Sequence, residues 1–285
     1  ASSEVEYAGT LAIRVGEEGR GLREILSHAH LTRLDFAIGS AGLMRQALTL
    51  AMRHTSSRGA FGTSIADRPM MTNVLADMAV EVEAATLMAL RVAKATDRIA
   101  SDDHERLFAR VATPAAKFFN CSRAPSIANE AVQCHGGNGF IEENPMPRLY
   151  REAPLNSIWE GTANMMCMDV RRAMMKDVRT IEALFDEVRP LKGQDARYDA
   201  MVAHAERLVR AAVEDEFYAR AMTEAAARML QGAELLRHSP QEVADVFLAT
   251  RAPAGGAWGA HYGALSAPVS QPVASRIMRR AMVAQ

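Results

Sequence analysis

The sequence predicts an all-α protein centred on a four-helix bundle. Three observations carry this. Apolar residues recur at helical spacing through several long stretches, the main sequence mark of helices that bury one face. Methionine (17 residues) and alanine are plentiful while aromatic residues are only 6%, a composition suited to helices packed on helices. A single short segment near the N-terminus alternates like a strand. At 285 residues with 49% hydrophobic and 24% charged positions, the chain is an ordinary globular one, long enough to bury a substantial core.

In chain order, Val5-Glu-Tyr-Ala-Gly-Thr-Leu-Ala-Ile-Arg-Val15 alternates polar and apolar residues, and Gly16, Gly19 and Gly21 close it. Residues 22–54 form a long helical pattern through Leu22, Ile25, Leu26, Leu34, Ile38, Ala41, Leu48 and Met52. A polar loop, Ser56-Ser-Arg-Gly-Ala-Phe-Gly62, follows. The second helix runs from Ile65 to about Arg98, with Met70, Met71, Val74, Leu75, Met78, Val82, Ala85, Met88 and Val92 on one face. These methionines read as core rather than as a cofactor box. An acidic-basic loop at residues 101–106 precedes a third helix at about 107–134.

A glycine-rich break, Gln133-Cys-His-Gly-Gly-Asn-Gly-Phe140, ends the third helix. Two prolines in residues 142–147 exclude helix interior there. The next helix spans about Ala163 to Met175, and four antiparallel helices with one ligand edge are the natural architecture. Residues 177–285 read as a second helical unit, with helices at about 178–189, 196–231 and 239–250, Ser239 as N-cap and Pro240 at the first helical position. A loop at 251–259 and a last short helix from Ile277 to Met282 complete the chain.

Several functions are excluded or weakened by composition. A net charge of −1 gives no global attraction to nucleic acid or to anionic membrane. Residues 177–285 carry 13 Lys+Arg against 14 Asp+Glu, with a cluster only at Arg276, Arg279 and Arg280. Cys121, Cys134 and Cys167 lack metal-ligand spacing and read as reduced thiols of a cytoplasmic protein. No signal peptide is visible, and no apolar run reaches the roughly 20 residues of a membrane span. His54, His104 and His135 have no ligand partners at metal spacing.

Two stretches carry candidate chemistry. Glycines in residues 136–139 let backbone approach a ligand closely. In Asn156-Ser-Ile-Trp-Glu-Gly-Thr-Ala-Asn164, a single carboxylate, Glu160, sits between Trp159 and Gly161. In a partly dry loop that carboxylate would gain a raised pKa and act as a base. From the residues alone, a turn with an ordinary exposed Glu is the favoured reading.

The order and spacing of these pieces resemble the acyl-CoA dehydrogenase family. Gln133-X-X-Gly-Gly-Asn-Gly-Phe140 is similar to its flavin loop and Trp159-Glu-Gly-Thr162 to its catalytic-base loop. Arg58-Gly-Ala-Phe-Gly62 is similar to its Arg-X-X-Phe-Gly segment, and Leu75-Ala-Asp-Met78 to the helix that follows. Thr113-Pro-Ala-Ala-Lys117, Cys121-Ser-Arg-Ala-Pro125 and residues 147–154 resemble the alkylation-response (AidB-like) branch. The resemblance runs from about residue 5 to near the C-terminus and is strongest between 30 and 172.

The resemblance implies a division into 1–21 (the tail of a central β-domain), 22–176 (the C-terminal helical bundle) and 177–285 (a helical extension), in what looks like the C-terminal half of a longer protein. It implies FAD bound between subunits of a homotetramer, a dimer of dimers, with an acyl-CoA thioester as substrate. Glu160 would be the base, since Thr32 stands where some members carry theirs. Arg58, Phe61, Gln133, Gly136, Gly137, Trp159, Thr162 and Asn164 would contact FAD, with Arg58 reaching a neighbouring subunit's pyrophosphate. Thr32, Arg33 and Gly161 would face the substrate. Ala60, Pro69 and Asn164 depart from the family's usual Thr, Gln and Gln and remove or shorten flavin hydrogen bonds. The same resemblance admits electron-transfer flavoprotein as a partner, DNA binding as an alternative role, and a catalytically incomplete helical fragment.

Overall fold

A computed structural model describes residues 3–60, 62–252 and 270–282. Its frame is four helices that alternate in direction. Helix α1 (Gly21–Ser57), α2 (Pro69–Thr96), α3 (Asp103–His135) and α5 (Ala163–Lys176) form it. Asn120 of α3 is fully buried, and its amide donates to the carbonyls of both Ala37 on α1 (3.2 Å) and Ala85 on α2 (3.1 Å). The pairs Ala37–Asn120, Ser40–Cys121 and His54–His135 climb together, so α1 and α3 run parallel. Glu81–Arg123 and Arg91–Glu105 run in opposite order, which sets α2 antiparallel to α3. Asp169 of α5 pairs with Arg110 of α3, while the turn before α5 meets Lys117 further along α3, so α5 is antiparallel too.

Small side chains explain the close packing. Ala37, Ala41, Ala47 and Ala51 of α1 and Ala112, Ala115, Ala116, Ala124 and Ala128 of α3 are all buried. Met44, Met78 and Met88 fill the gaps between them. Met70, expected on the same face, is instead exposed. Helix α3 stays continuous through Pro114 and Pro125, and at about 1.5 Å per residue its 33 residues span about 50 Å.

Other expectations are corrected. Residues 5–15 form no strand; Val5, Tyr7, Leu11, Ile13 and Val15 are exposed, because alternation without a neighbouring strand leaves no ladder to make. The strands found, β1 (Gly59–Ala60) and β2 (Thr63–Ser64), form a small antiparallel hairpin between α1 and α2. The loop expected at 101–106 is mostly helix: Asp102 caps α3, its carboxylate accepting from the amides of His104 and Glu105. The proline segment opens a short helix, α4 (Met146–Glu152), with Pro147 in its first turn, where a missing N–H costs nothing.

Beyond α5, helix α6 (Arg179–Asp186) is shorter than predicted. The single helix expected at 196–231 is two, α7 (Ala196–Glu214) and α8 (Ala219–His238), broken by a 3-10 turn at Glu216–Tyr218 that Asp215 caps. Ser239 ends α8 rather than capping α9 (Gln241–Arg251), and its hydroxyl bonds Glu83 on α2. The last helix is α10 (Gln271–Ala281). Of the loop predicted at 251–259, Arg251 belongs to α9 and residues 253–259 lie outside the described residues. Arg251, buried itself, ties α9 to α2 through Asp77 (2.6 Å) and Glu81 (3.3 Å).

Candidate functional site: a clamped carboxylate turn

After α4, the chain makes a 3-10 turn at Leu155–Ser157 and enters α5 through Trp159, Glu160 and Gly161. Glu160 has φ +56°, the only described non-glycine residue in the left-handed region. For an L-residue that conformation costs about 1–2 kcal/mol. Gly161 follows at φ +104°, and a Cβ there would come within 2.7 Å of Met166 Cε. Two left-handed residues in sequence reverse the chain sharply and push the Glu160 side chain outward.

Cations from two helices hold the turn. Lys117 Nζ donates to the carbonyls of Trp159 (2.9 Å) and Gly161 (2.5 Å), on either side of Glu160. Arg33 Nε donates to the carbonyl of Glu160 itself (3.2 Å). Arg33 in turn pairs with Asp169 (2.9 Å), which also receives both Nη atoms of Arg110 (2.7 and 3.2 Å). Trp159 stacks on Phe36 with ring centroids 4.8 Å apart, and its indole N–H is buried without a hydrogen-bond partner among the described residues. Burial, then the nearby Arg110, push His30 down to about 4, so it sits neutral beside this charge cluster. Lys117 is also pushed down, by burial first.

The predicted residues thus fall into two groups. Arg33, Trp159, Glu160, Gly161 and Thr162 gather at this turn. The dry surroundings expected for Glu160 are absent, because its side chain is exposed. Arg33 is engaged with Asp169 and the turn rather than free to face a ligand. Thr32 returns its hydroxyl to the Ala29 carbonyl of its own helix (3.0 Å). Asn164 accepts from Arg220 of α8 (2.8 Å).

Arg58, Gln133, Gly136 and Gly137 lie at the other end of α3. Lys117 and Gly136 are 19 residues apart, about 28 Å at 1.5 Å per residue. There His54 and His135 stack at 4.7 Å, bringing the ends of α1 and α3 together. Arg58 and Gly137 are exposed, and a Cβ at Gly136 or Gly137 would meet open space. Gln133 bonds Glu130 on its own helix (3.3 Å). Phe61 lies outside the described residues. Beside this loop a cavity of about 790 Å³, lined by Val132, Phe140, Ile141, Tyr150 and Arg151 among others, holds none of the predicted site residues.

Sequence reasoning missed Lys117, Phe36 and Asp169. Lys117 alone left a signal: it is the one charge in Val111-Ala-Thr-Pro-Ala-Ala-Lys-Phe-Phe119. Among the described residues no helix is long and apolar enough to cross a membrane, and no cluster of three or more His, Cys, Asp or Glu could hold a metal.

Comparison with known proteins agrees with this architecture. The chain is 39% identical over 247 residues to the putative acyl-CoA dehydrogenase AidB of Escherichia coli (strain K12), covering 87% of this chain and 45% of that protein. Its structure resembles that of Caenorhabditis elegans ACDH-11 in complex with C11-CoA, with a TM-score of 0.74 at 26% identity over 83% of this chain and 44% of the other. It shares its fold with an acyl-CoA dehydrogenase complexed with FAD from Bacillus anthracis, with a TM-score of 0.70 at 17% identity over 93% and 58% of the two chains. The chain thus spans less than half the length of the first two. A family model described as acyl-CoA dehydrogenase, C-terminal domain, matches residues 19–175. With more than half of its length matched in this way, the chain belongs to the acyl-CoA dehydrogenase family.

Proposed function

We propose that this chain supplies the base-bearing helical part of a FAD-dependent acyl-CoA dehydrogenase, with residues 22–176 as the bundle and 177–285 as a packed extension. The observation that carries the reading is the Glu160 turn. A solitary carboxylate is held outward, in a strained conformation, by cations that bond the backbone on both sides of it. A turn serving only as a connection gains nothing from that strain.

The residues present fit a flavin. The buried Trp159 N–H is an orphaned donor, the backbone at Gly136 and Gly137 is open to close approach, and Arg58 offers an exposed guanidinium suited to phosphate oxygens. FAD, when bound, supplies the acceptor for the hydride that leaves the substrate's β-carbon. Glu160 takes the α-proton of the acyl thioester at its carboxylate. Trp159 and Phe36 form an apolar wall that keeps water from that carboxylate once substrate covers it. Arg58 and the glycine turn, about 28 Å along α3 from the base turn, serve the flavin of a neighbouring copy, which accords with a dimer of dimers. An acyl-CoA substrate and electron-transfer flavoprotein as electron acceptor belong to the same reading. Duplex DNA binding is not favoured, since Arg276 and Arg280 are paired with Glu242 and Glu83.

The test is the visible absorbance of the purified chain with and without added FAD, before and after Glu160→Gln. A near-stoichiometric flavin spectrum that butyryl-, octanoyl- or lauroyl-CoA bleaches only when Glu160 is intact supports the reading. Bleaching that survives Glu160→Gln removes Glu160 as the base. A well-folded chain that retains no flavin means that further segments complete the site.

A further inference from the structure

The carbonyls of three successive residues, Trp159, Glu160 and Gly161, each accept from a cation, and the middle residue is the one with a left-handed backbone. The two outer carbonyls share a single donor group. Lys117 is only 1% exposed, lies in the middle of α3, and among the described residues makes no ion pair. A buried ammonium whose hydrogen bonds go only to carbonyls is an unfavourable way to stabilise a fold, since an apolar side chain of similar size would avoid the desolvation. Its geometry fits a different task. With Trp159 and Gly161 fixed to one nitrogen, the peptide groups around Glu160 cannot rotate independently, and Arg33 blocks the remaining carbonyl from the side of α1.

We infer that Lys117 is a positioning residue, which holds Glu160 in its left-handed conformation and so aims the carboxylate at the substrate α-carbon. This rests on the dehydrogenase reading for its catalytic consequence, but not for the conformational one. Both hydrogen bonds of Lys117 go to backbone carbonyls of the turn. It acts through the backbone, over a sequence separation of 42 and 44 residues to its two acceptors. Removing it frees the turn to relax toward negative φ, which swings the carboxylate away while leaving Trp159 stacked on Phe36 and the ligand walls in place.

Two variants and two readouts test this. Lys117→Met keeps the length and removes every donor; Lys117→Gln keeps donors on a shorter stem. In the isotopically labelled chain, the amide–Hα coupling and intraresidue NOE of Glu160 report its φ directly. The parent shows the left-handed signature, Lys117→Met loses it with helix content unchanged, and Lys117→Gln retains part of it. A left-handed Glu160 in Lys117→Met overturns the inference, and if that variant fails to fold, a fully parental signature in Lys117→Gln, with its shorter reach, does the same. In the flavin-loaded protein, Lys117→Met lowers the first-order bleaching rate at saturating octanoyl-CoA about ten-fold or more while the half-saturating concentration stays within about two-fold, and Lys117→Gln recovers part of the rate. Equal loss through binding, or an unchanged rate, overturns the positioning role. If the flavin-loaded parent itself never bleaches, or Glu160→Gln bleaches as well as the parent, the dehydrogenase reading fails. The Glu160 conformation in Lys117→Met then decides by itself whether Lys117 holds the turn.

Discussion

Replacing Glu160 by glycine should stabilise the protein relative to replacing it by alanine, although both changes remove the same carboxylate. Glu160 sits at φ +56° and its side chain is exposed, so truncation itself removes little packing. An alanine keeps the Cβ and the left-handed penalty, about 1–2 kcal/mol. A glycine removes the penalty but gives up about 0.5–1 kcal/mol through the greater freedom of its unfolded chain. The difference leaves Glu160→Gly ahead of Glu160→Ala by about 0.5–1 kcal/mol, or about 1–3 °C in melting temperature for a chain of this size. Circular dichroism melts and urea titrations of both variants measure it. Both variants should also abolish acyl-CoA-dependent bleaching, so the two differ in stability but not in activity. The reasoning is refuted if Glu160→Gly is no more stable than Glu160→Ala. The turn would then be relaxed, and the carbonyl clamp would have no strain to hold.

Four further variants have outcomes that follow from the structure. Arg251→Met leaves Asp77 and Glu81 short of a buried cation and should cost about 3 kcal/mol in urea unfolding. Burial alone would raise the Glu81 carboxyl, but Arg123, Arg251 and Arg228 outweigh it and hold it below 4.5. Its contribution is therefore present above pH 4.5 and lost as pH falls through the lower folded-state value, and losing Arg251 should move that loss to higher pH. His30, held near 4 against 6.5 when unfolded, makes the fold lose on the order of 3 kcal/mol as pH drops from 6.5 to 4; His30→Phe should flatten stability across that window. Gly139→Ala would set a Cβ 2.5 Å from the Val132 carbonyl oxygen and should cost about 2 kcal/mol or more. Gly137→Ala meets open space and should change stability by less than about 0.5 kcal/mol, while weakening FAD retention if that backbone approaches the flavin.

The long helices were legible because their apolar period persists over 28 residues or more in α1, α2 and α3, far beyond what chance alternation sustains. Features decided by one or two residues were not. The break between α7 and α8 contains no glycine or proline, only Asp215 turning its carboxylate onto the Phe217 amide. Helix α4 hides behind prolines that deter a helix reading, yet one of them occupies the only turn where proline is at no disadvantage. The strand pattern at 5–15 is real as a pattern, but a strand is a relation between two segments. The Glu160 turn could be located from its residues and its resemblance; how it is held could not. Lys117, Arg33 and Asp169 come from three helices, and Lys117 and Arg33 meet the turn across 42 to 127 residues of sequence. No local period records such contacts.

What distinguishes this turn from the rest of the molecule is the concentration of unfavourable features within a few residues. Elsewhere buried charge is matched: Arg251 by Asp77 and Glu81, and Arg91 by Glu105 and Glu187. At the turn a non-glycine residue is left-handed, an indole N–H is buried without a hydrogen-bond partner among the described residues, and an ammonium is buried with hydrogen bonds to carbonyls only. Each could be removed by one substitution: glycine at 160, phenylalanine at 159, methionine at 117. A sequence shaped only by stability would hold none of the three. Their coexistence on one carboxylate-bearing turn is therefore best explained by what the turn does once a ligand is present. On the proposed reading, the ligand would provide a partner for the indole and a dry cover for the carboxylate, while the ammonium would keep the backbone in the one conformation that presents Glu160 to it.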